Sequence, residues 1–389
     1  VITTPEGNTV KFKNVAVVGA VALTAAIALA GCSSSTPGTS SSDKASTAPA
    51  DTSVTYKVDS TLTGTITAGG SSAQANAEAA WTSAFKAQAA GVTINYDKSQ
   101  GSGGGVTNWL AGSYDFAGSD APLKPAQVTS SQTSCGADGA VNLPIYLDGV
   151  AVIYTLPGVT DLKLSTATIA KIFSLKITKW DDPAIKADNP SATLPSTAIT
   201  TVTRSDGSGT TQNFTNYLSA ADPTDWTYPA SNAWPVAGSS AQQGGSGVVN
   251  TVKSGSGTIG YADHSAIGTV TAAAIQAGTS KDFVTFSQAG ATQAFVKGAV
   301  TTPTSASGDL SQKFDYSKLT DKSAYPIPLV SYQIICKTFK VPAQLKVTKA
   351  YISFIASTIG QKVASVNAGS APIPDSMLKQ IVATLATVK

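Results

Sequence analysis

Charge is scarce in this chain. Only 13% of its 389 residues are Asp, Glu, Lys or Arg, and the formal net charge is +3. No basic field exists to hold nucleic acid. Histidine occurs once, as His264, and cysteine three times, at positions 32, 135 and 336. That poverty argues against zinc chemistry and against a hydrolase that depends on an imidazole base. The low charge, with abundant Ala, Ser, Thr and Gly, suits a secreted protein. The length suffices for two domains with cores of their own.

What is present begins with an export signal. Lys11 and Lys13 form a basic start, residues 15–30 are an unbroken weakly apolar run, and Leu-Ala-Gly-Cys at 29–32 ends it. Roughly 16 apolar residues are marginal for a membrane span and ordinary for a signal segment. The tetrapeptide looks like a bacterial lipobox, whose cleavage leaves Cys32 as a lipid-bearing N-terminus; a transmembrane anchor is the other reading. Lys-Phe-Lys directly after Val10 fits a start at that residue, with 1–9 a start-site artefact. Residues 1–31 are thus expected to be a signal peptide. The Ser/Thr/Pro-rich stretch 32–60 has no apolar period and is expected to be a flexible tether.

Three strand–turn–helix units follow. Residues 65–68 read as a strand, Gly-Gly-Ser-Ser at 69–72 as its turn, and Ala77, Ala80, Trp81, Ala84 and Phe85 as one face of a helix ending near Gly91. Residues 92–96 alternate like a strand before Gly-Ser-Gly-Gly-Gly at 101–105, with a short helix expected after it. Glycine there lets backbone approach a ligand closely. The third unit is the most telling: strand 199–203, then Arg-Ser-Asp-Gly-Ser-Gly-Thr-Thr at 204–211, then a helical pattern to Leu218. Backbone N–H groups at a helix start favour a small oxyanion, and Arg204 adds a planar fork of donors. A solvated Gly/Ser loop is the bland alternative.

Between and beyond these units, Asp120 ends a short strand. Residues 143–156 and 325–337 are long apolar runs able to cross between lobes. Ser165 and Asp182 are helix caps, 259–262 and 283–286 short strands, and 345–359 and 376–388 closing helices. The expected fold is α/β with two lobes: two mixed sheets flanked by helices and joined by two crossing strands. Lobe I takes residues 61–149 plus 331–389 and lobe II 150–330. His264 is expected on the surface or a lobe face.

In this order the motifs resemble the phosphate-binding proteins (PstS type) of ABC phosphate importers, which have the type II periplasmic-binding-protein fold. The matching stretches are Gly-Gly-Ser-Ser at 69–72, Gly-Ser-Gly-Gly-Gly at 101–105 and Gly-Ser-Asp-Ala-Pro-Leu at 118–123. Lys-Trp-Asp-Asp-Pro-Ala-Ile at 179–185, Arg-Ser-Asp-Gly-Ser-Gly-Thr at 204–210 and Gly-Thr-Ile-Gly-Tyr-Ala at 257–262 complete the set. The resemblance implies that Ser72, the N–H of Ala73, Ser102 and Asp120 bind phosphate from the first lobe. Arg204, Ser208, Gly209 and Thr210 would bind it from the second, with Asp206 bracing Arg204. Ala73 stands where many relatives carry an aromatic ring, so only a backbone contact is expected there. The implied protein is a non-catalytic receptor without cofactor or metal. It would be monomeric, lipid-anchored through Cys32 on the outer face of the cell membrane, and would deliver phosphate to a membrane-embedded ABC permease. A secreted phosphatase-like enzyme, or a binder of another tetrahedral oxyanion, is the alternative. A phosphatase needs a metal cluster or an activated nucleophile, for which the single histidine gives little support.

Asp120 would repel an oxyanion that has no proton to share. Phosphate keeps a proton near neutral pH and sulfate does not, so a buried carboxylate acceptor favours phosphate. A structural turn aspartate is the plainer reading of Asp120, and a helix cap that of Asp206. Cys135 and Cys336 fall in an oxidising compartment and are expected to form a disulfide from the loop before one crossing strand to the end of the other. Two buried thiols would be the alternative.

Overall fold

A computed structural model describes residues 53–389; the expected signal segment, Cys32 and most of the expected tether fall among residues 1–52, outside the described residues. The chain opens with β1 (Thr63–Gly70), α1 (Ala75–Lys86), β2 (Gly91–Asp97), α2 (Gly101–Leu110), β3 (Phe116–Ser119), α3 (Pro125–Cys135) and β4 (Ala140–Thr155). Next come β5 (Lys163–Leu164), α4 (Thr166–Phe173), α5 (Pro183–Asp188), β6 (Thr200–Arg204), α6 (Gly209–Ala221), β7 (Ser240–Gln242), α7 (Gly244–Ser254) and β8 (Thr258–Asp263). The short strands β9 (Thr271–Ala272), β10 (Ala274–Gln276) and β11 (Phe283–Val284) lead to α8 (Gln288–Gly298) and a hairpin, β12 (Ala299–Thr301) with β13 (Gln312–Phe314). Then β14 (Pro328–Cys336) precedes α9 (Pro342–Ile355), α10 (Thr358–Ala368) and α11 (Asp375–Thr387).

The two longest apolar runs become the two shared strands. Nearly every residue of β4 and β14 is buried, as expected of strands covered on both faces. The main sheet follows the path β2-β1-β3-β14-β4-β8-β6-β7 with β9 added beside β4, while β11-β10-β5 and β12-β13 form small sheets of their own. Parallel pairs β1–β2 and β1–β3 meet β14, which runs antiparallel to both β3 and the first part of β4. From Val150 onward β4 pairs instead with β8, antiparallel, and β8 and β7 lie parallel to β6 on either side. Each half is therefore a mixed sheet, and β4 carries the chain from one to the other. At the crossing the Val150 N–H donates to the Ile327 carbonyl at 2.8 Å, tying the outgoing strand to the returning one. This is the two-lobed α/β architecture.

Of the stripe read from the sequence, helix α1 buries Ala77, Trp81 and Phe85 and leaves Ala80 and Ala84 half-buried. The Trp81 indole N–H donates to the Gly360 carbonyl of α10 at 2.7 Å, so the C-terminal helices complete the first lobe. Ser165 and Asp182 cap α4 and α5 through the N–H groups of Thr168 and Ala184. Cys135 and Cys336 are bonded to each other, fastening the end of α3 to the end of β14.

Several boundaries differ from the sequence reading. Residues 101–105 are not a turn before a helix but the first turns of α2 itself. Glycine is needed there because a Cβ on Gly105 would sit 2.3 Å from the Gly70 Cα. Gly91 starts β2 rather than ending α1, whose last turn is closed by Ala87 donating to Ser83 at 3.1 Å. The expected helix over 345–359 is two helices, because Ser357 turns its hydroxyl to accept the Gly360 N–H and caps α10. Residues 53–60 are part of the folded unit: Val54 and Val58 are buried, and Val54 exchanges hydrogen bonds with Thr358. The β12–β13 hairpin, read as part of lobe II, reaches back to the first sheet. Asp309 there accepts from both the backbone and the side-chain nitrogens of Asn142 on β4, at 2.7 and 2.8 Å. Among the described residues no helix is long and apolar enough to cross a membrane.

Candidate functional site

Asp120 sits just past β3, where the strand ends at the edge of the cleft, and is 3% exposed. Its Oδ1 accepts from the hydroxyls of Ser71 and, at 2.6 Å, Ser331. Its Oδ2 accepts from Thr210 Oγ1 at 3.2 Å and lies 3.5 Å from Ser102 Oγ. Its backbone N–H donates to Ser102 Oγ at 3.1 Å, and its carbonyl accepts from Asn213 Nδ2 at 2.5 Å. Thr210 and Asn213 belong to α6 of the second lobe, so one acid is gripped from both sides. Burial holds the pKa of Asp120 above the ordinary carboxylate value, and Ser331, Ser71, the Arg204 charge and Thr210 offset that rise only in part.

Arg204 ends β6 and is 3% exposed. Its Nε donates to Asp206 Oδ1 at 2.7 Å and its Nη2 to Asp206 Oδ2 at 2.5 Å, a bidentate pair. Asp206 also accepts the Gly244 N–H at the start of α7, 3.1 Å away. Burial would raise the pKa of Asp206, but the Arg204 bonds and charge, with Gly244, hold it below the ordinary carboxylate value. The cap of α6 is Ser208, whose hydroxyl accepts the Thr211 N–H at 3.1 Å. Behind this loop the rings of Phe214 and Tyr261 stack 4.6 Å apart, and the Tyr261 hydroxyl lies 2.6 Å from Thr211 Oγ1. The aromatic wall fixes the loop where a Gly/Ser sequence alone would leave it free.

The remaining expected residues fall around this pair. Gly209 opens α6 against the other lobe: a Cβ there would lie 2.5 Å from Ser102 Oγ and 2.6 Å from Asp120 Cβ. Ser72 turns its hydroxyl toward the Gly245 N–H, at 3.4 Å, rather than toward Asp120. The Ala73 N–H donates to Ser71 Oγ at 3.1 Å. The two lobes meet over the site, with the Gly103 N–H on the Gly207 carbonyl at 2.8 Å and Lys124 Nζ on Asn232 Oδ1 at 2.9 Å. His264 stands outside it, stacked on Phe286 with centroids 3.9 Å apart, and burial lowers its pKa.

Two contacts escaped the sequence reading. Ser71, not its neighbour, faces the acid, and Ser331 reaches it from the middle of β14. The second carried a signal: Ser331 and Gln333 are polar residues inside an otherwise apolar run, and a central strand buries such groups only with partners. The Ser331 hydroxyl accepts from Gln74 Nε2 at 2.7 Å, and Gln333 donates to the buried Glu78 at 2.8 Å. Beside the crossing, Ser265 joins two more buried acids, Asp148 on β4 and Asp263 at the end of β8. Asp148 is pushed to about 6 and Asp263 to about 7, each chiefly by burial, and Asp263 also by the charges of Asp148 and Asp120.

A family model described as the PBP superfamily domain matches residues 46–358. The phosphate-binding protein PstS 3 of Mycobacterium tuberculosis (strain ATCC 25618 / H37Rv) is 34% identical over 334 residues, covering 84% of this chain and 87% of that one. The phosphate-binding protein PstS of Xylella fastidiosa (strain Temecula1 / ATCC 700964) is 33% identical over 312 residues, covering 77% and 79%. Among solved structures, a phosphate-binding protein from Stenotrophomonas maltophilia superposes with a TM-score of 0.63 at 21% identity, covering 82% of this chain and 93% of that one. The high-affinity periplasmic phosphate-binding protein PfluDING, in complex with phosphate, gives a TM-score of 0.64 at 21% identity over the same shares. At that identity the structural likeness bears on the fold alone.

Proposed function

Because this chain belongs to the PstS phosphate-binding proteins of the PBP superfamily, we propose that it is the receptor of an ABC phosphate importer, closing over HPO4 or H2PO4 and handing it to the membrane permease. The observation that carries the reading is the buried Asp120, held at one oxygen by the first lobe and met at the other by Thr210 of the second. In this reading Ser102 and Asp120 contact the ligand from one side and Arg204, Ser208, Gly209 and Thr210 from the other; the Ser72 hydroxyl and the Ala73 N–H, expected to join them, are engaged instead with the Gly245 N–H and Ser71 Oγ. Of the five N–H groups of a guanidinium, Arg204 commits two to Asp206 and keeps three for the ligand. Asp206 holds the guanidinium in place, and the neutral hydroxyl and backbone donors add to it. Each helix start adds only about 0.3–1 kcal/mol toward an anion, against roughly 1.5–3 kcal/mol for a hydrogen bond to a charged group. Donors facing one another across the cleft require closure, which also expels water.

The protein is read as a monomeric, non-catalytic receptor on the outer face of the cell membrane, tethered through a lipid on Cys32. Lobe I comprises residues 61–149 and 331–389 and lobe II 150–330, apart from the β12–β13 hairpin. Thermal unfolding tests the function. Phosphate at about 100 times its Kd should add about 2.7 kcal/mol to stability, with no hydrolysis of a phosphate ester. Turnover of an ester would replace the receptor by the phosphatase-like enzyme. Absence of stabilisation by phosphate would remove the receptor reading altogether.

A further inference from the structure

The two oxygens of the central acid are not equivalent. Asp120 Oδ1 takes one hydroxyl from the turn after β1 and one from mid-β14, those of Ser71 and Ser331. Each of those hydroxyls already accepts a hydrogen bond of its own, Ser71 from the Ala73 N–H at 3.1 Å and Ser331 from Gln74 Nε2 at 2.7 Å. The single proton of each serine is thereby directed at Oδ1, and two donors occupy that oxygen's two lone pairs. Oδ2 meets only Thr210 and, at 3.5 Å, Ser102, both among the residues proposed to touch phosphate. Ser71 and Ser331 are themselves wholly buried.

We propose that Ser71 and Ser331 are positioning residues that set the anion selectivity of the site: they saturate Oδ1, hold Asp120 as a carboxylate, and leave Oδ2 as the acceptor for the proton that phosphate carries and sulfate lacks. The inference rests on the phosphate reading above and adds to it the groups that keep the acid in its discriminating form. Burial alone drives Asp120 toward protonation. A protonated Asp120 would donate from Oδ2, and a fully ionised sulfate would then be welcomed instead of repelled. The serines oppose that outcome from within the first lobe. Across the cleft Arg204 acts in the same direction, with Asp206 paired to it. Asp263 at the end of β8 and Tyr96 on β2 are the other titratable groups that feel the Asp120 charge. The Tyr96 hydroxyl donates to the Ser71 carbonyl at 2.8 Å, holding the turn that presents Ser71.

The test is calorimetric titration with phosphate and with sulfate, across about pH 5 to 8, of the wild type, Ser331→Ala, Ser71→Ala and Ser71→Thr. Loss of either hydroxyl should lower the phosphate-to-sulfate affinity ratio about tenfold or more at neutral pH. The ratio should fall further as pH drops, because an Asp120 that has lost one of its donors takes up a proton more readily. The wild-type ratio should change less with pH, and Ser71→Thr, which keeps the hydroxyl, should keep the ratio. The serines lie on separate elements, so either alanine variant that folds decides the matter. If both anions weaken equally, with a ratio that does not depend on pH, the serines are mere supports and the inference is overturned. Failure of the wild type to bind phosphate is a different result and strikes the receptor reading.

Discussion

A methyl group at position 209 should separate the closing of the lobes from their folding. Gly209 is the first residue of α6, and a Cβ there would lie 2.5 Å from Ser102 Oγ, 2.6 Å from Asp120 Cβ and 2.8 Å from the Asp120 backbone nitrogen. All three atoms belong to the opposite lobe. Its backbone is not in the left-handed region, so Ala fits locally at the first position of the helix. The clash arises only when the lobes meet. Overpacking of a close contact costs about 1–3 kcal/mol, which is roughly a 5- to 150-fold loss of affinity for a ligand that binds the closed form. Gly209→Ala should therefore keep its melting temperature without ligand while binding phosphate that much more weakly. Calorimetric titration and thermal unfolding measure the two halves of the statement. Wild-type affinity in Gly209→Ala would refute the placement of α6 against Asp120. A large loss of ligand-free stability would show that Gly209 serves folding instead.

Two further outcomes follow from buried groups. Replacing Cys135 and Cys336 together by Ser opens a loop with a sequence separation of 201 residues, and the chain-entropy relation puts the loss at about 5 kcal/mol. Denaturant unfolding should show it, and a change under about 1 kcal/mol would contradict the entropic account. Glu78 is buried between Gln333 and Tyr351, and burial lifts it to about 7 in the folded protein, against about 4.3 unfolded. Between those values the native state holds more protons than the unfolded one, so this group makes stability fall as pH rises toward about 7. Glu78→Gln should flatten the slope of urea stability against pH between about 5 and 8, and an unchanged slope would mean that Glu78 is not the source.

Much of this architecture was legible because its signals are periodic. The apolar runs now seen as β4 and β14 are strands covered on both faces, and the α1 stripe of Ala77, Trp81 and Phe85 is a helix face. Positions decided by tertiary contact were harder to read. Residues 101–105 look like a loop, yet they lie in a helix, and their glycines answer to tertiary contact: Gly70 crosses so near Gly105 that a side chain is excluded. The β12–β13 hairpin has no apolar period to announce that Asp309 will be satisfied by Asn142 of β4. At the site, Asp120 and Arg204 stood out as charges beside Gly-rich turns in a chain poor in charge. Which serine of Ser71-Ser72 faces inward depends on how the chain leaves β1, and no local pattern encodes it. Ser331 was visible only as a polar interruption of an apolar strand, whose partner lies 211 residues away.

The most direct test of the whole account is titration of phosphate and sulfate into the wild type and into Asp120→Asn, read by calorimetry at neutral pH. The wild type should bind phosphate tightly and sulfate about 10⁴-fold or more weakly, since only phosphate brings a proton to the buried carboxylate. Asp120→Asn presents an amide N–H in place of an acceptor, so sulfate should gain and phosphate lose until the two differ by about tenfold or less. Equal binding of the two anions by the wild type would contradict the claim that an acid at the heart of the cleft selects its ligand by the proton it carries.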